Sequence, residues 1–272
     1  MIDWSSLAEP QDDGYDSEII GDLATESFGF EKGIITGSSF LGGEVELRAI
    51  ETSSIFQTIP SFDDKEFLQA ENLLISTWNT IYAQCQYLLV AVYPFIHEKS
   101  SEDDGERLGY WCSHGDFGEV IVRVYEDSSI NILEGLVHEL ANWKLHAMGV
   151  HMTYWDSLIT NGVDELYEIS TLPNDSRSIG HLLHVLYSHT HTFDLLQRIE
   201  RYSSSYLYNR RRTGFLPDYE TLYQPSYKLW IKEFRNRIIA DKLTLNRNLR
   251  TTADGTAFYG GLSNWIDRLL ML

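Results

Sequence analysis

The feature that most constrains this chain is the segment Leu136-Val137-His138-Glu139-Leu140-Ala141-Asn142. It reads as a helical HExxH metal-binding motif in which asparagine replaces the second histidine. An intact motif requires a helix, because only there do residues four apart share a face and grip one ion while the intervening glutamate polarises a bound water. Such a helix must also face a second element that supplies the remaining ligand. The motif therefore predicts a helix pair around a shared site, with the identity of residue 142 as the chemical question.

Helical periodicity extends well beyond the motif. From Asn72 to Ile96 no residue is charged, and Leu73, Leu74, Trp78, Ile81, Tyr82, Cys85, Leu88, Leu89 and Val92 recur at helical spacing. That pattern predicts one long core helix from about Asp63 to Tyr93, stopped near Pro94. The polar residues Asn72, Ser76, Asn79, Gln84 and Gln86 argue against a membrane span. Gly43 to Glu51, Arg107 to Cys112 and Phe117 to Tyr125 read as short strands. The motif helix should begin after Asp127-Ser128-Ser129 and end before Gly149, since these residues suit its two caps. After the turn-rich Leu172 to Ser176, a histidine-rich helix is expected from about Ser178 to Arg201, and the remainder reads as helical to an apolar end at Ile266 to Leu272. The first forty residues are acidic and weakly patterned. The fold class expected is mostly α (α+β): residues 1–272 as one helical domain with a small β element and the HExxN helix facing the histidine-rich one.

Charge and cysteine content narrow the partners. Between Arg198 and Arg250, twelve basic residues outnumber five acidic ones, so that segment is +7 and the remainder −26 within a net charge of −19. Basic C-terminal helices either pair with acidic N-terminal surface or, through Arg210-Arg211-Arg212 and the row Lys228, Lys232, Arg235, hold an acidic ligand or peptide. Nucleic acid is not expected at this net charge. The acidic N-terminal region lacks the features of a secretory signal, and the two cysteines, Cys85 and Cys112, form no CxxC pair; both point to the cytoplasm.

The candidate chemistry centres on histidines. His138, Asn142 and His146 lie one turn apart from each other. His138 and His146 span about 12 Å along the helix axis, too far to share an ion, which makes His146 a packing or outer residue. Four of the nine histidines fall between His181 and His191; His181, His184 and His191 share about 80° of arc, and His189 points away. A metal site needs His138 and one of these across the interface.

Taken in order, Phe117-Gly118-Glu119-Val120, Leu136-Val137-His138-Glu139 with Lys144-Leu145, Asp175-Ser176-Arg177, and Leu183-His184 with Tyr187 resemble the iron- and 2-oxoglutarate-dependent HExxH-type peptide β-hydroxylases. The resemblance covers roughly residues 109–196, with a fainter trace over 243–270. It implies an oxidative tailoring enzyme acting on a peptide or peptide-derived intermediate, free or bound to a leader or carrier, in natural-product biosynthesis. It further implies Fe(II) held by His138, position 142 and His184, with His138, Glu139 and His184 as catalytic residues and Arg177 as partner of the 2-oxoglutarate carboxylate. The chain departs from the family at Asn142, at His146, and in lacking most of a proline-rich stretch near Thr171 to Ser178. Two alternatives stay open: a metal-free relative doing acid/base chemistry in the same cavity, and a non-catalytic protein that binds a peptide or partner. A zinc peptidase would need the missing second histidine.

Overall fold

The structure is a computed structural model, and it describes residues 1–49, 57–58, 64–96, 116–123, 129–168, 176–210 and 225–271. The expected strand at 107–112, most of the turn-rich loop, and Arg211 and Arg212 lie outside them. A 3-10 turn at Ser6–Ala8 leads into α1 (Tyr15–Phe28), followed by β1 (Ser39–Phe40), β2 (Val45–Leu47) and β3 (Gln57–Thr58). Next come α2 (Asp64–Thr77), α3 (Asn79–Leu88), β4 (Ala91–Ile96), β5 (Glu119–Arg123) and α4 (Ser129–Ala147). The hairpin β6 (Leu166–Glu168) and β7 (Ser176–Ser178) precedes α5 (Ile179–Arg210), α6 (Pro225–Asn248) and α7 (Ala253–Met271). The chain is thus mostly helical with a small mixed sheet, as expected.

The long helix anticipated over Asp63 to Tyr93 is three elements. Ser76 and Thr77 turn their hydroxyls back onto the carbonyls of Asn72 and Leu73, which weakens a helix end. Trp78 then leaves the helical region (φ −152°, ψ 72°). The uncharged run that follows reads equally well as buried helix or buried strand by hydrophobicity. Here Ala91 and Val92 pair in parallel with β2, and residues 91–95 pair in parallel with β5. Pro94 is tolerated inside this central strand because β2 pairs only at 91–92 and β3 only at 95–96. Its missing N–H falls in the gap between them.

Helix α4 runs through the centre, packed against α1, α2, β5 and α5. Its burial extends to Glu134, Glu139, Asn142 and Lys144 as well as the apolar residues. Helix α5 lies between α4 and α6. The acidic N-terminal segment is part of this core: Leu7, Ala8, Ile20 and Ala24 are buried, and so is Asp16. No described helix is long and apolar enough to cross a membrane.

Candidate functional site

Two glycines bring the site together. Gly149 (φ +79°) ends α4, and a Cβ there would stand 2.5 Å from Asp156 Oδ1 and 2.6 Å from Ser157 Oγ, so both conformation and space call for glycine. The Gly149 N–H donates to the carbonyl of His146 (3.0 Å) and the Val150 N–H to that of Leu145 (2.9 Å). The chain therefore doubles back and lays His151 against His146, with ring centroids 4.9 Å apart. Gly180, at the start of α5, has no room for a Cβ, which would meet the Trp155 ring at 2.5 Å and the His151 carbonyl at 2.9 Å. This close docking seats the first turns of α5, and with them His184, on the end of α4.

His184 is buried between the two helices and the returning loop. Its Nε2 lies 2.7 Å from the Val150 carbonyl and its Nδ1 3.2 Å from Asn142 Oδ1. A carbonyl only accepts, so Nε2 carries the ring hydrogen and donates it. Burial, reinforced by His146, holds the His184 pKa well below the ordinary histidine value, so the ring is neutral and Nδ1 presents a lone pair. That lone pair faces the side-chain amide of Asn142. Two arrangements satisfy such a contact: either the amide turns its Nδ2–H toward the ring, or Oδ1 and Nδ1 are both acceptors facing a cation. The Val150 carbonyl serves the second equally, since a metal-bound imidazole commonly donates its other N–H to a backbone carbonyl.

Aromatic rings surround this pair. His146 meets His184 edge to face with centroids 4.9 Å apart, Trp143 packs on His146 at 5.2 Å, and the exposed Tyr154 stacks on His151 at 4.1 Å. One turn before His184, His181 Nε2 lies 2.6 Å from a terminal nitrogen of Arg177, whose guanidinium donates to it. Arg177 is half-buried.

Of the residues the sequence singles out, Asn142 and His184 come together, while Arg177 pairs with His181 and acts electrostatically on His189 and Asp241. His138 instead has its ring near His189, with centroids 6.0 Å apart. Burial lowers the His138 pKa to about 3. His189, expected to point away, is buried in turn against Phe234 and lies with Nδ1 4.0 Å from Asp241 Oδ2 on α6. His191 packs among Trp78, Tyr187 and Trp265 as a core histidine. Glu139 is buried in the packing of α4. Among the described residues, no three His, Cys, Asp or Glu side chains form a group that could hold a metal ion. A metal at His184 would thus draw on the Asn142 carbonyl.

His146 packs against Trp143, His151 and His184, in line with a packing or outer role, and His151 joins it from a loop that no motif marks. His146 stands to Asn142 as Asn142 stands to His138, and Gly149 signals the reversal that returns His151. Lys144 carried no such signal. Its ammonium is fully buried, 2.9 Å from Asp16 Oδ2 and 3.0 Å from Gln84 Oε1, while Gln84 Nε2 donates to the same Asp16 oxygen at 2.7 Å. This network ties α1, α3 and α4 together behind the site. The chain matches no protein-family model and no curated protein.

Proposed function

We propose that this chain is an oxidative tailoring enzyme of the hydroxylase type, acting in the cytoplasm on a peptide or peptide-derived substrate at the junction of α4 and α5. The observation that carries the reading is the meeting of Asn142 and His184, two of the three positions the family resemblance assigns to the metal, with His184 oriented by Val150 so that Nδ1 faces the amide. The donor set suits a borderline divalent ion: imidazole is a common ligand for iron, and an amide carbonyl is a weak neutral one. Bound there with 2-oxoglutarate, Fe(II) would supply oxygen activation.

The chain's own residues have separate tasks. Val150 fixes the tautomer and plane of His184. Arg177, half-buried and paired with His181, would receive a carboxylate. The exposed Tyr154, backed by His151, offers a flat surface to a substrate side chain. Lys228, Lys232 and Arg235 are exposed on α6 and would attract an acidic leader or carrier segment. The test is 2-oxoglutarate turnover with Fe(II) and O₂ across a panel of ribosomal precursor peptides. Iron-dependent succinate formation coupled to a mass gain of one oxygen on a peptide is expected. Absence of succinate formation, coupled or uncoupled, by iron-loaded protein overturns the reading.

A metal-free acid/base enzyme is the second reading, favoured by the 3.2 Å spacing itself, which is hydrogen-bond length once the Asn142 amide is turned. It predicts that the protein retains no stoichiometric iron.

A further inference from the structure

We propose that the seam between α5 and α6 binds a free α-amino acid, whose ammonium seats between His189 Nδ1 and Asp241 Oδ2 and whose carboxylate meets the guanidinium of Arg237. This site stands apart from the meeting of Asn142 and His184 and needs no metal there.

Chain spacing brings the groups together. His181, Val185 and His189 follow at four-residue intervals and form one row along α5, and Arg237 and Asp241 stand in the same relation on α6. The two helices pack on each other, with the Phe234 ring edge-on to His189 at 5.2 Å between centroids. Burial deepens along both rows. His181, Val185 and Arg237 are half-buried, whereas His189 and Asp241 are buried.

Two features of this cluster ask for a ligand. First, His189 Nδ1 and Asp241 Oδ2 are 4.0 Å apart, beyond hydrogen-bond length, and Nδ1 is a buried atom with no hydrogen-bond partner among the described residues. An orphaned buried polar atom is uncommon in a folded protein and costs stability. Burial keeps the His189 ring neutral, with His138, Arg237 and Arg177 adding to the effect. With the ring hydrogen on Nε2, Nδ1 offers a lone pair beside the carboxylate, and an ammonium about 2.8–3.0 Å from both atoms would donate to each. It would also relieve Asp241, on which the penalty of burial outweighs the pull of Arg237 and Arg177. Second, the Arg237 side chain makes no hydrogen bond or close ion pair with a described residue, although it acts electrostatically on both His189 and Asp241. Its donors are therefore available to an incoming anion.

The combination selects a zwitterion. A guanidinium fits a carboxylate through two parallel hydrogen bonds, and a carboxylate beside an imidazole lone pair fits an ammonium. An α-amino acid joins those two groups through one carbon, a short span that suits residues one helical turn apart on α6. A simple anion would be repelled by Asp241, and a simple amine by Arg237 and Arg177.

The test is isothermal titration calorimetry of the full-length protein at pH 7.5 with each of the twenty common amino acids. EDTA is present throughout, so that a metal at Asn142 and His184 cannot serve as the anchor. At least one amino acid is expected to bind one to one with a Kd at or below about 1 mM. Its N-acetyl and carboxamide derivatives, each lacking one charge, should bind about 10-fold more weakly or worse, and so should the free amino acid with Arg237→Gln and with Asp241→Asn. Circular dichroism checks that both variants are folded, and Asp241→Asn removes a buried charge, so its lost binding is not lost folding. Absence of binding by every amino acid at about 10 mM would overturn the proposal. An N-acetyl derivative or inorganic phosphate that binds as tightly as the free amino acid would overturn it too, as would variants whose Kd stays within about threefold of the unsubstituted protein's. Binding seen only when Fe(II) replaces EDTA would put the amino acid on the metal, which removes this site and leaves the oxidative reading standing.

Discussion

Replacing Lys144 with methionine should be among the most destabilising single changes available in this chain, because it strands a buried carboxylate. Both Lys144 and Asp16 have fully buried side chains, and their contact is 2.9 Å. Removing one partner of a buried pair typically costs about 3–5 kcal/mol. Asp16 keeps two other donors, the Gln84 amide at 2.7 Å and the Gln11 N–H at 3.1 Å, which places the expected loss near the lower end, about 3 kcal/mol. Methionine fills most of the lysine stem's volume, so little of that loss comes from a cavity. For a chain this long it corresponds to a fall in Tm of roughly 6–12 °C. Urea titrations followed by circular dichroism would measure it, together with Asp16→Leu and the double variant. Two apolar residues in place of a buried pair are often tolerated, so the double variant should be markedly more stable than the sum of the single losses. A Lys144→Met cost below about 1 kcal/mol, or strict additivity, would refute the idea that this pair is a coupled element joining α1 to α4.

Helix α7 offers a paired test of close packing. Gly260 has nothing within 4 Å of a built Cβ, so Gly260→Ala should stabilise by about 0.5–1 kcal/mol in a thermal melt. Gly255→Ala and Gly261→Ala should destabilise by about 1–3 kcal/mol or more, since their Cβ atoms would stand 1.9 Å from the Leu158 carbonyl oxygen and 2.3 Å from that of Ser5. Asp241 carries a pH prediction. Burial raises its carboxyl to about 6, against the opposing pull of Arg237 and Arg177. The folded chain therefore binds this proton more readily than the unfolded chain, and the ionised form costs stability above about pH 6. Asp241→Asn should raise the urea midpoint at pH 7.5, with the gain fading as pH falls from 6 toward 4. A lower midpoint at pH 7.5 would mean that the carboxylate is needed beside His189.

Much of the architecture around α4 was legible because local signals agree. Apolar periodicity, the glycine stop at 149 and the histidine-rich helix each identify an element without reference to distant residues. Helix α1 was not legible for the opposite reason. Asp16 occupies a core position on it, and the lysine that makes this tolerable lies 128 residues away. Strand β4 was misread because an uncharged run carries no period that separates buried helix from buried strand; only pairing with β2 and β5 decides. Motif order singled out Asn142, His184 and Arg177, of which the first two meet and the third pairs with His181. The helical wheel turns His189 away from His184, but it does not show that α5 is enclosed by α4 on one flank and α6 on another. A residue turned away from His184 still meets both, at His138 and Asp241.

The central claim, that His184 Nδ1 is a metal-facing lone pair, is open to direct measurement by long-range ¹H–¹⁵N correlation of the His184 ring in the full-length protein, with Zn(II) as a diamagnetic substitute for Fe(II). Without metal, Nε2 should be protonated and Nδ1 bare. Stoichiometric Zn(II) should move Nδ1 to the shift of a metal-bound nitrogen and leave Nε2 protonated against Val150. An Nδ1 signal unchanged at saturating Zn(II) would show that the Asn142 amide N–H occupies it, and would contradict the metal-centred account.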